Sequence, residues 1–117
     1  MLFGLSGKRI LAYSEVVDMR KSFNGLIALT AQVLKEDPLS GDLYVFRNRR
    51  GNLIKILSWD RTGYCLHLKR LENGKFSFVS SVGKYEISEQ RLKLLLDGIA
   101  LKPREKTKKV VGEVIKN

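Results

Sequence analysis

Three guanidinium groups fall within four positions in Arg47-Asn48-Arg49-Arg50-Gly51-Asn52, and the Gly and Asn of that string predict a hairpin tip. An arginine fork donates two parallel hydrogen bonds to a phosphate, enters a narrowed minor groove or stacks on a base, so such a tip suits nucleic acid. The plainer reading is a solvated turn whose charge discourages aggregation at a sheet edge. Trp59, Tyr64, Phe76 and Phe78 interleave with Lys55, Arg61, Lys69 and Lys75, a pattern compatible with base stacking beside phosphate contacts. The same pattern describes an ordinary sheet core, and only exposed rings would serve as platforms.

Other chemistries find less support. Asp18, Asp42, Asp60 and Glu72 are the residue types of a two-metal phosphodiester site, but their spacing is not diagnostic. Asp60 precedes an expected turn and Asp18 an expected helix, places where a carboxylate serves the backbone. Cys65 and His67 share a strand face without a third, orienting partner, so a cysteine nucleophile is not expected. One Cys and one His exclude an internal disulfide and a zinc-ligand set, and the glycines fall at turns rather than in a phosphate loop. No cofactor or metal is expected.

The charge is concentrated. The 117 residues carry 22 Lys+Arg against 12 Asp+Glu, a net charge of +10 that favours a polyanionic partner. Residues 1–46 hold five groups of each sign, residues 47–75 eight basic against two acidic, residues 76–101 three of each, and residues 102–117 six basic against two acidic. Two patches therefore hold the whole excess, and clustered cations release counterions from phosphates in a way that scattered ones do not. The longest apolar stretch, Leu26–Leu34, is interrupted by Thr30 and Gln32 and is far shorter than the roughly 20 residues of a membrane span. The start, Met1–Leu5, is too short for a signal-peptide core, which predicts a cytoplasmic protein.

These residues need elements to position them. Arg9–Tyr13 predicts a strand, and Ser22 a cap for a helix whose apolar stripe is Phe23, Leu26, Ile27, Thr30, Val33 and Leu34, stopped by Asp37-Pro38. Gly25, unfavourable in a helix, predicts close approach of another backbone. Leu43–Arg47, Leu53–Trp59, Tyr64–Lys69 and Phe76–Val79 predict an antiparallel meander joined at Arg49–Asn52, Asp60–Gly63 and Glu72–Gly74, with its second face open. Ser88 predicts the cap of a second helix, striped by Leu92, Leu95, Leu96 and Ile99 and ending near Gly98. The expected fold is thus α+β: a twisted antiparallel meander of about four to five strands packed with two helices, residues 1–101 forming one domain and 102–117 a basic tail. Val110, Val111, Val114 and Ile115 would let that tail order on a partner.

The same residues carry a family likeness. Asp18-Met19-Arg20-Lys21-Ser22-Phe23-Asn24-Gly25-Leu26, Asp37-Pro38-Leu39-Ser40-Gly41, Val45-Phe46-Arg47-Asn48-Arg49-Arg50-Gly51, Ile54–Leu57, Trp59-Asp60, Gly63–Leu66 and Lys69–Glu72 together resemble, in order and spacing, the TnpB-type accessory protein of insertion sequence sixty-six elements. The likeness spans about residues 8 to 101; Ser58 and the lysine-rich tail depart from it. It implies a small bacterial protein, without assigned catalysis, that assists a separate transposase. The expectation is a non-enzymatic transposition factor that binds DNA through Arg47, Arg49, Arg50, Lys55, Arg61, Lys69 and Arg70, with the element-encoded transposase as a second partner and no membrane association. The alternative is a protein interaction module that bridges or stabilises the transposase without touching DNA.

Overall fold

The structure, a computed structural model, describes residues 7–78 and 83–98. The elements follow in the order β1 (Ile10–Val16), α1 (Phe23–Gln32), β2 (Leu43–Arg47), β3 (Leu53–Asp60), β4 (Gly63–Arg70), β5 (Lys84–Ile87) and α2 (Glu89–Leu96). The fold is α+β, as expected, but the sheet is mixed. Its order is β4-β3-β2-β1-β5. β2, β3 and β4 form the expected antiparallel run, whereas β1 lies parallel to β2, with Ile10 opposite Leu43 and Ala12 opposite Val45. The chain returns through α1 between those two strands, which is what a parallel pair requires. A strand expected at Phe76–Val79 is not one: residues 76–78 are irregular, Val79 lies outside the described residues, and the fifth strand is Lys84–Ile87, antiparallel to β1.

Both faces of the sheet are covered over β1, β2 and β3, so the expectation of an open second face is corrected there, while on β4 Cys65 stays exposed. On one face Ala12, Val45, Ile54 and Ile56 pack with Leu92 and Leu95 of α2 and with Phe76. On the other, Leu11, Tyr44, Phe46 and Leu57 pack with Leu26 of α1 and with Leu34. β1 is flanked on both edges and covered on both faces, hence its unbroken Ile-Leu-Ala run in place of alternation. Each fully buried leucine contributes about 1.5–3 kcal/mol relative to an exposed one.

The helices differ in how they begin. Ser88 caps α2 by accepting a hydrogen bond from the Arg91 N–H at 3.1 Å. Ser22 precedes α1 but makes no side-chain cap. In α1 the stripe buries Leu26 and Thr30, the latter donating its hydroxyl to the Leu26 carbonyl at 2.8 Å, while Phe23 and Val33 at the two ends stay exposed. The helix stops at Gln32, before Asp37-Pro38, and Lys35 then takes a left-handed φ of 58°. A Cβ on Gly25 would meet the Lys21 side chain at 3.0 Å, so the close neighbour is an aliphatic stem rather than a backbone. α2 ends as expected, with Gly98 at φ +76°; Ile99 and the tail lie outside the described residues.

A polar cluster ties the starts of β1 and β2 to the chain after α1. The Arg9 guanidinium donates to Glu36 at 2.6 Å and to Asp42 at 2.9 Å, and Lys84 of β5 donates to the other Glu36 oxygen. Hydrogen bonds from Lys84, and then Arg9, hold the Glu36 carboxyl below its ordinary range against the opposing effect of burial. Burial pushes the Asp42 carboxyl up, but the Arg9 N–H and guanidinium outweigh it and lower its pKa.

Candidate nucleic-acid interface

Because β1 and β2 run parallel, the segment leaving β1 emerges beside the segment leaving β2. Val17 donates its N–H to the Arg47 carbonyl at 2.9 Å, joining the two exits. The Arg49-Arg50 tip therefore neighbours Asp18–Ser22, and the turn after β4 reaches the same end of the sheet. These loops and the end of β4 bring together Arg20, Lys21, Arg49, Arg50, Arg70 and Lys75 against Asp18 and Glu72.

The tip is a built turn. Gly51 at φ +76° donates to the Asn48 carbonyl at 3.1 Å, and the Asn48 side chain accepts from the Leu53 N–H at 3.0 Å and donates to the Asn52 side chain at 2.8 Å. The chain after β4 fastens it further: Leu71 and Phe76 donate their N–H groups to the carbonyls of Asn52 and Gly51 at 2.8 and 2.7 Å. Arg49 and Arg50 project from this frame into solvent, and neither forms a salt bridge among the described residues. Arg50 stands between two open hollows. One, of about 480 Å³, is lined by Val16–Arg20 and Asn48–Arg50. The other, of about 310 Å³, is lined by Arg50, Asn52 and Leu71–Lys75.

The expected site residues separate. Arg47 is engaged inside the molecule: its guanidinium donates twice to the Ser14 carbonyl, at 2.6 and 3.2 Å, and lies 5.3 Å from the centre of the Phe78 ring. Lys55 is buried, and its ammonium donates to the carbonyls of Met19 and Lys21 at 2.9 and 2.8 Å. It holds the Asp18–Ser22 loop from within the molecule, apart from the exposed cations of the tip. Arg61 is exposed but occupies the β3–β4 turn at the opposite end of the sheet, roughly 23 Å away by strand rise, with Asp60 3.9 Å from it. There Arg61 rather than Gly63 takes the positive φ, at 53°. Arg70 reaches the basic end but pairs with Glu72 at 3.2 Å, and Lys69 lies next to it on the opposite sheet face.

Three cations of this end were not among the expected site residues. Lys75 lies against the tip, its Cβ 3.6 Å from where a Gly51 side chain would start. Lys21 follows Arg20, whose guanidinium grips Asp18 at 2.6 Å; hydrogen bonds from Arg20 hold that carboxyl well below the usual range. The Arg20-Lys21 dipeptide is plain in the sequence, but residues 1–46 are neutral as a whole, and only the parallel pairing of β1 and β2 brings it to the tip. The aromatic residues do not form a stacking platform: Phe76 is buried, Phe78 underlies Arg47, and Trp59 packs edge-on with Tyr64 at 5.0 Å near the opposite end. The four acids divide between the two ends, Asp42 on Arg9 and Asp60 at the far turn, Asp18 and Glu72 each on its own arginine at the basic end.

The two strings that carry the likeness, around Asp18–Ser22 and Arg47–Gly51, are thus neighbours in space. The family described as IS66 Orf2 like protein matches residues 8–106, which takes in nearly every described position. The chain belongs to this family. Two curated relatives from Sinorhizobium fredii are similar to it. The uncharacterized protein y4jC is 38% identical over 94 residues, 80% of each chain, and the uncharacterized protein y4hO is 45% identical over 83 residues, 70% of this chain and 72% of its own. No solved structure matches. Membership of the IS66 Orf2-like family gives the chain an accessory role associated with transposition. Among the described residues no helix is long and apolar enough to cross a membrane.

Proposed function

We propose that this IS66 Orf2-like protein is a non-catalytic accessory factor that holds DNA by its phosphates, with Arg49 and Arg50 as the principal contacts and Lys21, Lys69, Arg70 and Lys75 beside them. The observation that carries the reading is an anchored turn presenting two guanidinium groups, without carboxylate partners among the described residues, between two open hollows. A preformed turn loses little conformational freedom on binding, and each guanidinium matches a phosphate in two-pronged fashion. Such contacts position a duplex without reading its bases, so the binding is salt-sensitive and weakly dependent on sequence.

The test is a salt titration of purified protein on element-end and random duplexes. Substituting Arg49 and Arg50 together with Ala lowers affinity on both and reduces the slope of log K against log salt by roughly 0.9 for each phosphate no longer neutralised. Arg61→Ala, at the far end, leaves the slope unchanged. An unaltered slope in the double variant overturns the proposal. A complex with transposase that survives nuclease and moderate salt, alongside weak DNA binding, favours the protein-bridging alternative.

A further inference from the structure

The outer edge of β4 lacks the usual devices that blunt a sheet edge. β4 is the last strand of the sheet, and among the described residues nothing pairs with its outer side. Its inner side runs in unbroken register with β3, from Gly63 opposite Asp60 to Arg70 opposite Leu53. The two-residue turn makes Asp60 and Gly63 a bonded pair, and bonded pairs alternate along an antiparallel ladder. Cys65, His67 and Lys69 therefore bond inward, leaving the N–H and C=O groups of Tyr64, Leu66, Leu68 and Arg70 directed outward.

Natural edges are blunted by shortness, proline, a bulge or a central charge. The opposite edge, β5, follows that rule: four residues, with Lys84 and Glu86 among them. β4 does not. It is eight residues long, free of proline and bulge, and charged only at its last two positions. Tyr64, Leu66 and Leu68 line one of its faces, and Leu68 is 51% exposed.

We propose that two copies of this chain pair antiparallel along β4, about a two-fold axis at Leu66, to form one continuous sheet. In that register Leu66 faces Leu66 of the second copy and Leu68 faces its Tyr64, closing an apolar strip across the junction. Lys69 falls opposite Gly63 of the second copy, and next in that row across the sheet, on the same face, stands the β3 partner of that glycine, Asp60, a carboxylate whose side chain is 71% exposed. Each end of the junction thus sets a cation beside an anion. Moving the axis one residue toward Cys65 carries Lys69 past Gly63 to the turn that holds Arg61, and moving it one residue toward His67 sets Lys69 opposite Cys65, whose β3 partner is the uncharged Ser58. Self-complementarity of one patch is what a two-fold dimer needs, and the charge match selects a second copy over an unrelated strand.

The test uses the full chain. Its mass by sedimentation or light scattering rises from monomer to dimer across a concentration series, and Leu68→Lys raises the concentration of half-dissociation about tenfold or more while thermal melting shows the fold retained. In a Cys65→Ser background, Leu66→Cys forms an intermolecular disulfide under mild oxidation, because directly opposed residues bring their Cα atoms to about 5.5 Å. Tyr64→Cys and Leu68→Cys, each opposed by a different residue, do not. A wild-type chain that stays monomeric at every concentration overturns the proposal, as does a dimer in which Leu66→Cys fails to cross-link. Neither readout depends on DNA.

Discussion

Arg47, Arg49 and Arg50 are neighbours in sequence, yet one is structural and two face solvent. Replacing Arg47 with Ala removes two charge-assisted hydrogen bonds to the Ser14 carbonyl and the stacking on Phe78, so it is expected to cost about 1–3 kcal/mol in denaturant unfolding. Under the proposed function the same change is expected to leave the salt dependence of DNA binding unaltered, the reverse of the Arg49 and Arg50 substitutions. At this scale the sequence yields residue type and spacing but not employment: alternation places Arg47 at a strand end, and nothing local reveals that a carbonyl from β1 lies within its reach. Lys55 was equally illegible, since its partners are more than 30 residues away. Glu36 supplies a pH signature. Its carboxyl titrates lower in the folded chain than the ordinary glutamate value of 4.5, so as pH falls the unfolded chain takes up the proton first. The resulting stabilisation is complete above about pH 4.5 and is lost as pH drops through the depressed folded value. Thermal melts across acid pH should show this decline, and Glu36→Gln should flatten it while lowering stability at neutral pH.

The elements were more legible than their mutual arrangement. Both helices and the β2–β4 run announce themselves because burial on one side imposes a period of 3.6 or 2. The direction of β1 does not, because an apolar strand buried on both faces carries no mark of which neighbour it joins, or which way it runs. The candidate site depends on that direction, as an antiparallel β1 would carry Arg20 and Lys21 to the opposite end. Capping was half legible, serine being the expected type at both helix starts. Ser88→Ala is expected to destabilise the chain by about 1 kcal/mol, since the Arg91 N–H loses its acceptor, whereas Ser22→Ala should be nearly neutral. Paired thermal or urea denaturation of the two variants measures the contrast.

Across the whole molecule, one end of the sheet is electropositive and the other balanced. At the far end Lys8, Arg9, Lys35 and Arg61 stand among Glu36, Asp37, Asp42 and Asp60. The sequence located the basic block but treated it as one patch, and folding divides it: β3 and β4 carry Arg61 away from the tip. A polarised charge distribution orients a polyanion on approach, so under the proposed function DNA would be met end-on by the loops after β1, β2 and β4 rather than by a sheet face, since helices pack on both.

The position of β1 has a further consequence, for synthesis. β1 is translated before the other described strands, yet β5, the strand that covers its outer edge, is translated after them. Until residue 87 has been translated, a strand whose Ile-Leu-Ala run is buried has an open flank, and its closure must wait for a partner more than 70 residues downstream. Contacts of such sequence separation form slowly, so a nascent or prematurely terminated chain exposes a sticky edge that the finished protein hides.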